Sequence, residues 1–272
     1  MSALLRPTPA QMTRRLIVLA CAIFAVVVAQ VQMGLGLGQT AAEFAADSDA
    51  TLKVAGYAFA IWGVIYLGLL VYAVRQALPA TGESVLLNRL GWPSAVALLG
   101  IGWWIVAAAL DWESGTILLI FGSLLVLLIP LLMNAAAIRA LSRTSRERWT
   151  VVWPLALLAG WLGIAAPVNL LTVLTGNGDL PAILAPTVWA LIVVGLVTAK
   201  ALAVTWVLRT PAFALPIAWG LLGVFNAEQA RNGVLAGGAV VAAGVTLVGA
   251  VILGFRLKPP VDRLAGAPER GL

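Results

Sequence analysis

The sequence predicts an all-α fold, a polytopic bundle of about eight transmembrane helices, and three observations support this class. Of the 272 residues, 62% are hydrophobic and only 10% are charged, with a mean hydropathy of +1.02. A soluble domain carries roughly 25% charged residues to cover its surface. The apolar runs are also continuous and close to the roughly 20 residues that a membrane-spanning helix needs. A membrane barrel would instead alternate apolar and polar residues in segments of about ten.

Charged residues bracket the apolar runs and mark the ends of the predicted spans. These spans lie at 16–37, 53–75, 89–111, 113–139, 148–179, 181–207, 209–228 and 231–256. The seventh run is short, but it counts as a crossing because Arg256 and Lys258 then lie on the same side as Arg14 and Arg15. Loops rich in arginine and lysine stay in the cytoplasm. The sequence therefore predicts a multi-pass cell-membrane protein (inner or cytoplasmic membrane in a bacterium) with cytoplasmic termini.

The composition argues against several classes of function. The net charge is +6, but the basic residues are scattered at span ends rather than forming a stripe among exposed aromatics, so no nucleic-acid partner is predicted. The chain has no histidine and one cysteine, Cys21, which disfavours zinc, axial-histidine haem and Cys-rich metal sites. No catalytic dyad or phosphate-binding loop is visible. The sequence therefore predicts no metal site and no catalytic residues, and the lipid bilayer is the predicted partner.

Residues that break the apolar pattern are candidates for function. Lys200 lies deep inside the sixth predicted span, and an intramembrane charge is a functional-site hypothesis by default. The alternatives are that it snorkels towards the interface or bonds to a neighbouring helix. Four prolines, Pro130, Pro167, Pro186 and Pro216, also lie inside predicted spans. They favour kinks of the kind that flank transporter sites, although membrane helices also tolerate proline for structural reasons alone.

Two helix stripes carry most of the candidate ligand site. The stripe in the second span consists of Phe59, Trp62 and Tyr66, and the stripe in the fifth consists of Trp161, Ala165 and Asn169. Spacings of three and four residues place each set on one helix face. Flat aromatic side chains suit a planar ligand, while an intramembrane amide needs a polar partner. These six residues, with Trp103 and Trp104 deep in the third span, are predicted to line a ligand pocket; ordinary helix packing is the alternative for any single tryptophan.

The two stripes resemble motifs of the TspO/MBR family, the translocator proteins or tryptophan-rich sensory proteins. Residues 58–66 read AFAIWGVIY, which is similar to the family's second helix, where an aromatic is followed by Trp and, four residues on, Tyr. Residues 161–169 read WLGIAAPVN, which is similar to the Trp, Ala and Asn pattern of the fifth helix. The family's Trp-x-Pro-Pro segment before the second helix is absent, and three predicted helices follow the fifth. The chain therefore resembles an extended member.

The resemblance implies a division of the chain and a function. The division has a cytoplasmic tail at 1–15, a five-helix TspO-like unit at 16–178, a three-helix extension at 179–256 and a cytoplasmic tail at 257–272. The implied function is binding of a planar hydrophobic ligand, a tetrapyrrole such as haem or protoporphyrin or a sterol-like molecule, in a sensory or transport role. The tetrapyrrole would be a ligand, with no other cofactor, and a homodimer is implied. Two alternatives remain: a transporter or permease for small solutes, and a structural subunit of a membrane complex.

Overall fold

The computed structural model describes residues 6–46, 51–78 and 80–256, and all regular elements in these ranges are helical. The α-helices are α1 (Pro9–Leu35), α2 (Ala41–Ala46), α3 (Ile61–Ala77), α4 (Val85–Ala109), α5 (Glu113–Met133), α6 (Ala135–Ala140), α7 (Trp153–Gly176), α8 (Pro186–Leu208), α9 (Ala214–Glu228) and α10 (Gly233–Val251). Short 3-10 segments lead into α3 (Gly56–Ala60) and α9 (Pro211–Phe213), and π-helical segments precede α7 (Arg148–Val152) and follow α10 (Ile252–Arg256). The predicted tail at 257–272 lies outside the described residues.

Seven helical segments in the described ranges are long and apolar enough to cross a membrane. They are α1, α4, α5 and α8, together with the continuous segments Gly56–Ala77, Arg148–Gly176 and Gly233–Gly254. The remaining long helix, α9, has 15 residues, and its length of about 22 Å is short of the hydrocarbon thickness. It packs between α7, α8 and α10, so protein rather than lipid covers most of its sides. The polytopic bundle of about eight helices that the sequence predicts is therefore confirmed.

The first helix begins earlier than the apolar run predicted. Its N-cap is Thr8, whose side chain forms a capping box with Gln11, a pairing that satisfies free N–H groups at a helix start. Arg14 and Arg15 therefore lie within α1, and both are buried. Their guanidinium groups bond to Glu83 at 2.8 and 2.9 Å. Because both guanidinium groups bond to this one carboxylate, the two arginines can be buried in the bundle. Hydropathy alone does not predict this pairing.

Hydrogen bonds join polar residues of different connections at two ends of the bundle. At one end, Arg89 donates to Asn134 at 3.0 Å, and Arg75 donates to the carbonyl of Arg146 at 3.4 Å. At the other end, Asn177 donates to Glu113 at 2.7 Å. The first end carries most of the arginines, so it is the end that the positive-inside rule predicts to be cytoplasmic.

Prolines take two kinds of position in these helices. Pro130 and Pro167 lie inside α5 and α7, where each removes a helical N–H donor. Pro186 is the first residue of α8, where the missing N–H costs nothing. The kink predicted at Pro186 is therefore not required.

Candidate ligand-binding site

A cavity of about 50 Å³ lies among α2, α3, α4, α5, α7 and α9. Its walls are aromatic and aliphatic, with two polar side chains. The lining residues are Ala41, Phe44, Ala45, Val54, Phe59, Trp62, Ile101, Trp104, Ile120, Trp161, Leu162, Ile164, Ala165, Val168, Asn169, Thr172 and Gly220. The cavity lies beside the middle of α7, which belongs to the most thoroughly buried span.

Three aromatic rings, on α7, at the start of α3 and in the 3-10 segment before it, form one corner of this cavity. The ring of Trp161 stands edge-on to Phe59, with centroids 6.0 Å apart, and to Trp62 at 6.3 Å. Trp62 in turn stacks on Tyr66 at 5.0 Å with an interplanar angle of 26°. Edge-to-face and offset-stacked pairs are the favoured aromatic arrangements. The corner is therefore a stable set of rings whose faces point in different directions.

A short hydrogen-bond chain supplies the polar side of the cavity. The indole N–H of Trp104 donates to Asn169 Oδ1 at 3.3 Å, and Asn169 Nδ2 donates to the hydroxyl of Thr116 at 3.0 Å. The Thr116 hydroxyl donates to the backbone carbonyl of Glu113 at 2.6 Å. All three side chains are buried. The chain joins α4, α5 and α7, and it fixes the orientation of the Asn169 amide beside the cavity.

The structure brings six of the eight predicted ligand-site residues to the cavity: Phe59, Trp62, Trp104, Trp161, Ala165 and Asn169. Tyr66 does not line the cavity but lies behind Trp62 as its stacking partner. Trp103 lies away from the cavity. It is 50% exposed on the outer face of α4, and its ring centroid lies 5.8 Å from that of Phe24. Neighbouring helix residues point about 100° apart, so Trp103 and Trp104 cannot share one wall.

Two walls of the cavity come from residues that the sequence reasoning missed. Phe44 on α2 covers one side, with its ring edge-on to Trp104 at 6.1 Å. The spacing of Thr40 and Glu43, a capping box with hydrogen bonds of 2.7 and 3.2 Å, was the signal for this short helix. Gly220 on α9 closes another side, and no local pattern identifies it.

Hydrogen bonds join the segment that precedes α3 to α9, and they hold α9 beside the cavity. The backbone N–H of Ala55 donates to the carbonyl of Gly223 at 3.1 Å, and the N–H of Lys53 donates to Glu228 Oε1 at 2.9 Å. The indole of Trp219 donates to the carbonyl of Ala58 at 2.8 Å. These bonds connect the predicted C-terminal extension to the start of the second predicted span.

Lys200, the predicted intramembrane charge site, is not part of the cavity. It lies on α8, and its Nζ donates to the backbone carbonyl of Gly163 on α7 at 2.5 Å. No group of three or more metal-binding side chains occurs in the part of the chain that the structure describes. The described site is therefore an apolar aromatic cavity with one oriented amide.

Fold and cavity together define an integral membrane protein of the polytopic helical class with an aromatic site inside the bundle. The sequence profile of the family described as TSPO-like protein matches residues 14–252. The chain belongs to this family, which confirms the resemblance read from the two stripes. The match extends from α1 through α10 and thus includes the helices after residue 179. No curated protein and no solved structure gives a significant match to the chain.

Proposed function

We propose that the protein binds a planar hydrophobic ligand in this cavity, a tetrapyrrole such as haem or protoporphyrin or a sterol-like molecule, in a sensory or transport role. One observation carries the proposal: Phe59, Trp62 and Trp161 meet around an apolar cavity that the Asn169 amide also lines. Apolar pockets with a few oriented polar groups are typical ligand sites.

The Asn169 amide supplies a specific contact for such a ligand. A side-chain amide has two N–H donors and a carbonyl oxygen with two lone pairs. Within the described residues, Asn169 uses one donor on Thr116 and one lone pair on Trp104. One donor and one lone pair remain for a polar edge of the ligand. The ligand would therefore place its flat body against the aromatic corner and a polar group at Asn169.

The size of the cavity implies that binding displaces side chains. Its volume of about 50 Å³ is far below the roughly 300–1,000 Å³ of pockets that hold drug-sized ligands. The six-residue helix α2 contributes Ala41, Phe44 and Ala45 to the wall. A helix this short has little stability of its own. We therefore infer that α2 moves outward with Phe44 when a ligand of tetrapyrrole size enters.

Porphyrin binding by the purified protein tests this proposal. Protoporphyrin is titrated into the protein in detergent, and its own absorption and emission are followed, so that the loss of a tryptophan does not remove the reporter. We expect saturable binding at one site per chain. Trp161→Leu and Trp62→Leu should each weaken it at least tenfold, because each removes a ring from the corner.

Trp103→Leu is the matched control, since this variant also removes one indole from the bundle but not from the cavity. We expect it to bind as the wild type does. Non-saturable uptake of porphyrin, or an equal loss of affinity in all three variants, would show that the ligand partitions into detergent or binds elsewhere.

A further inference from the structure

The polar groups in the wall of the aromatic cavity are uncharged. Apart from the indoles, the polar side chains among its described lining residues are Asn169 and Thr172, and none of these lining residues is acidic or basic. Residues 47–50, which follow α2 in the chain and lie outside the described ranges, read DSDA and include no basic residue. The described wall thus offers a ligand hydrogen bonds but no basic side chain with which a negative charge could pair.

The orientation of the Asn169 amide follows from its two neighbours. The indole N–H of Trp104 is a donor only, so the atom that faces it at 3.3 Å must be the Asn169 carbonyl oxygen. The hydroxyl of Thr116 gives its hydrogen to the backbone carbonyl of Glu113 at 2.6 Å, so it accepts from the Asn169 NH2 group at 3.0 Å. A flipped amide would lose both bonds, and Asn169 therefore cannot turn its NH2 group fully towards a ligand.

One N–H donor and one carbonyl lone pair of Asn169 remain for a ligand. A hydroxyl or a protonated carboxyl group has both a donor and acceptor lone pairs, so it can satisfy both positions. An ionised carboxylate has acceptors only, so it would meet the donor but place its charge beside the lone pair of the amide oxygen. Burying such a charge without a counter-ion is also costly. The polar side of the cavity therefore favours an uncharged group.

Acidic residues on the surrounding helices add to this preference. Glu43 lies on α2, Glu113 is the first residue of α5 and Glu228 is the last residue of α9. All three helices contribute to the cavity wall. A negatively charged ligand group that extended past the wall towards these residues would be repelled by them. Outward movement of α2 would not change this, because Glu43 is the charged residue of that helix.

The lysines in adjoining segments do not line the cavity. Lys53 lies in the segment before α3, and its backbone N–H donates to the Glu228 carboxylate at 2.9 Å, so an acidic group lies beside it. Lys200 lies on α8, where its ammonium group donates to the backbone carbonyl of Gly163 on α7. Neither lysine is therefore placed to form an ion pair with a ligand group inside the cavity.

We propose that the aromatic cavity selects ligands in an uncharged form: a planar hydrophobic molecule whose polar edge is a hydroxyl, an ester or a protonated carboxyl group. The inference rests on the proposed ligand site and narrows its ligand class. A sterol-like molecule with a hydroxyl group meets this requirement as it is. A tetrapyrrole with free carboxyl groups meets it only when these are protonated, so its affinity should fall as the pH rises above their pKa.

Two porphyrins with the same ring test the proposal. The dimethyl ester of protoporphyrin and the free acid are titrated into the protein in a neutral detergent, near pH 8 and near pH 5.5. Binding at the site is taken as the part that is lost in Trp161→Leu, which excludes uptake into micelles. We expect the free acid to bind about tenfold or more weakly than the ester near pH 8, because each pH unit above the carboxyl pKa lowers the protonated fraction about tenfold.

The ester is the control for the protein's own titration. It has no free carboxyl group, so a change in its affinity between the two pH values would come from protein groups such as Glu43, Glu113 and Glu228. We expect its affinity to be the same at both pH values. The difference in affinity between the ester and the free acid should narrow near pH 5.5.

A lysine introduced into the wall should weaken the preference. Ala45→Lys places an ammonium group at a lining position of α2, so near pH 8 the free acid should gain affinity several-fold relative to the ester. Ala46→Lys is the matched control, because Ala46 is exposed on the same helix and does not line the cavity. It should leave the ratio of the two affinities unchanged.

The outcomes separate this inference from the proposed function. If the ester shows saturable binding that depends on Trp161, and the free acid binds equally well or better near pH 8, the selection for uncharged ligands is wrong and the ligand site stands. An equal gain of free-acid affinity in Ala45→Lys and Ala46→Lys would overturn it too, because the charge would then act from the surface. If neither porphyrin shows binding that depends on Trp161, both the ligand site and this inference are wrong.

Discussion

Lys200 on α8 donates a hydrogen bond of 2.5 Å to the carbonyl oxygen of Gly163 on α7. This carbonyl lies four residues before Pro167, which is inside α7 and has no N–H to bond to it. The lysine therefore supplies the donor that the proline removes. The bond also joins the two helices, and it accounts for a charged residue within an otherwise apolar span.

A double-mutant cycle tests this relationship. Lys200→Met should lower the free energy of unfolding by about 1 kcal/mol, the scale of hydrogen bonds between membrane helices. In a Pro167→Ala background the restored N–H can bond to Gly163, so the same change should cost clearly less. The measurement is denaturant or thermal unfolding of the four proteins in one detergent. An equal cost in both backgrounds would mean that Lys200 does not replace the proline's donor.

Glu83 is expected to be critical for stability. Its carboxylate bonds to two buried guanidinium groups, Arg14 at 2.8 Å and Arg15 at 2.9 Å. Glu83→Gln leaves these charges without a counter-charge, which costs about 3–5 kcal/mol for a buried pair. Thermal unfolding should therefore show a large fall in Tm. Glu113→Gln is the control, since a neutral amide oxygen can still accept the bond from Asn177; a similar fall there would contradict the explanation.

Gly160 should tolerate no side chain, because a Cβ at this position would collide with the backbone carbonyl of Phe213 before α9. Gly160→Ala would push the 3-10 segment away from α7, and we expect a loss of about 1–3 kcal/mol, as for other overpacked sites. Gly122→Ala on α5 is the matched control, since no atom lies within 4 Å of its added Cβ. It should be neutral or slightly stabilising. The unfolding free energies of the two variants decide the comparison.

Phe44 is expected to control entry to the aromatic cavity. Phe44→Ala removes the ring that covers Trp104, so porphyrin should associate several-fold faster in stopped-flow mixing. Phe121→Ala on α5, a partly buried position that does not line the cavity, should leave the association rate unchanged. An unchanged rate in Phe44→Ala would mean that the ligand enters by another route.

Local sequence patterns predicted much of the candidate site. The stripes on α3 and α7 follow from the helical period, because residues three or four apart share a face whatever the helix packs against. Phe59, Trp62, Trp161, Ala165 and Asn169 were predicted in this way, and all line the cavity. Trp103 and Trp104 show the limit of the method. Both are apolar and adjacent, and only the position of α4 in the bundle turns one inward and the other outward.

By itself, the sequence determined the class of protein and the approximate number of long apolar helices. These depend on hydrophobicity and chain length, which are local and additive. The tertiary structure decided which helices enclose the cavity, so that α2 and α9 became walls through Phe44 and Gly220. It also decided that Glu83 would neutralise two arginines and that Lys200 would bond to Gly163. Such contacts join residues far apart in the chain, and their energies depend on packing and burial that no local pattern encodes.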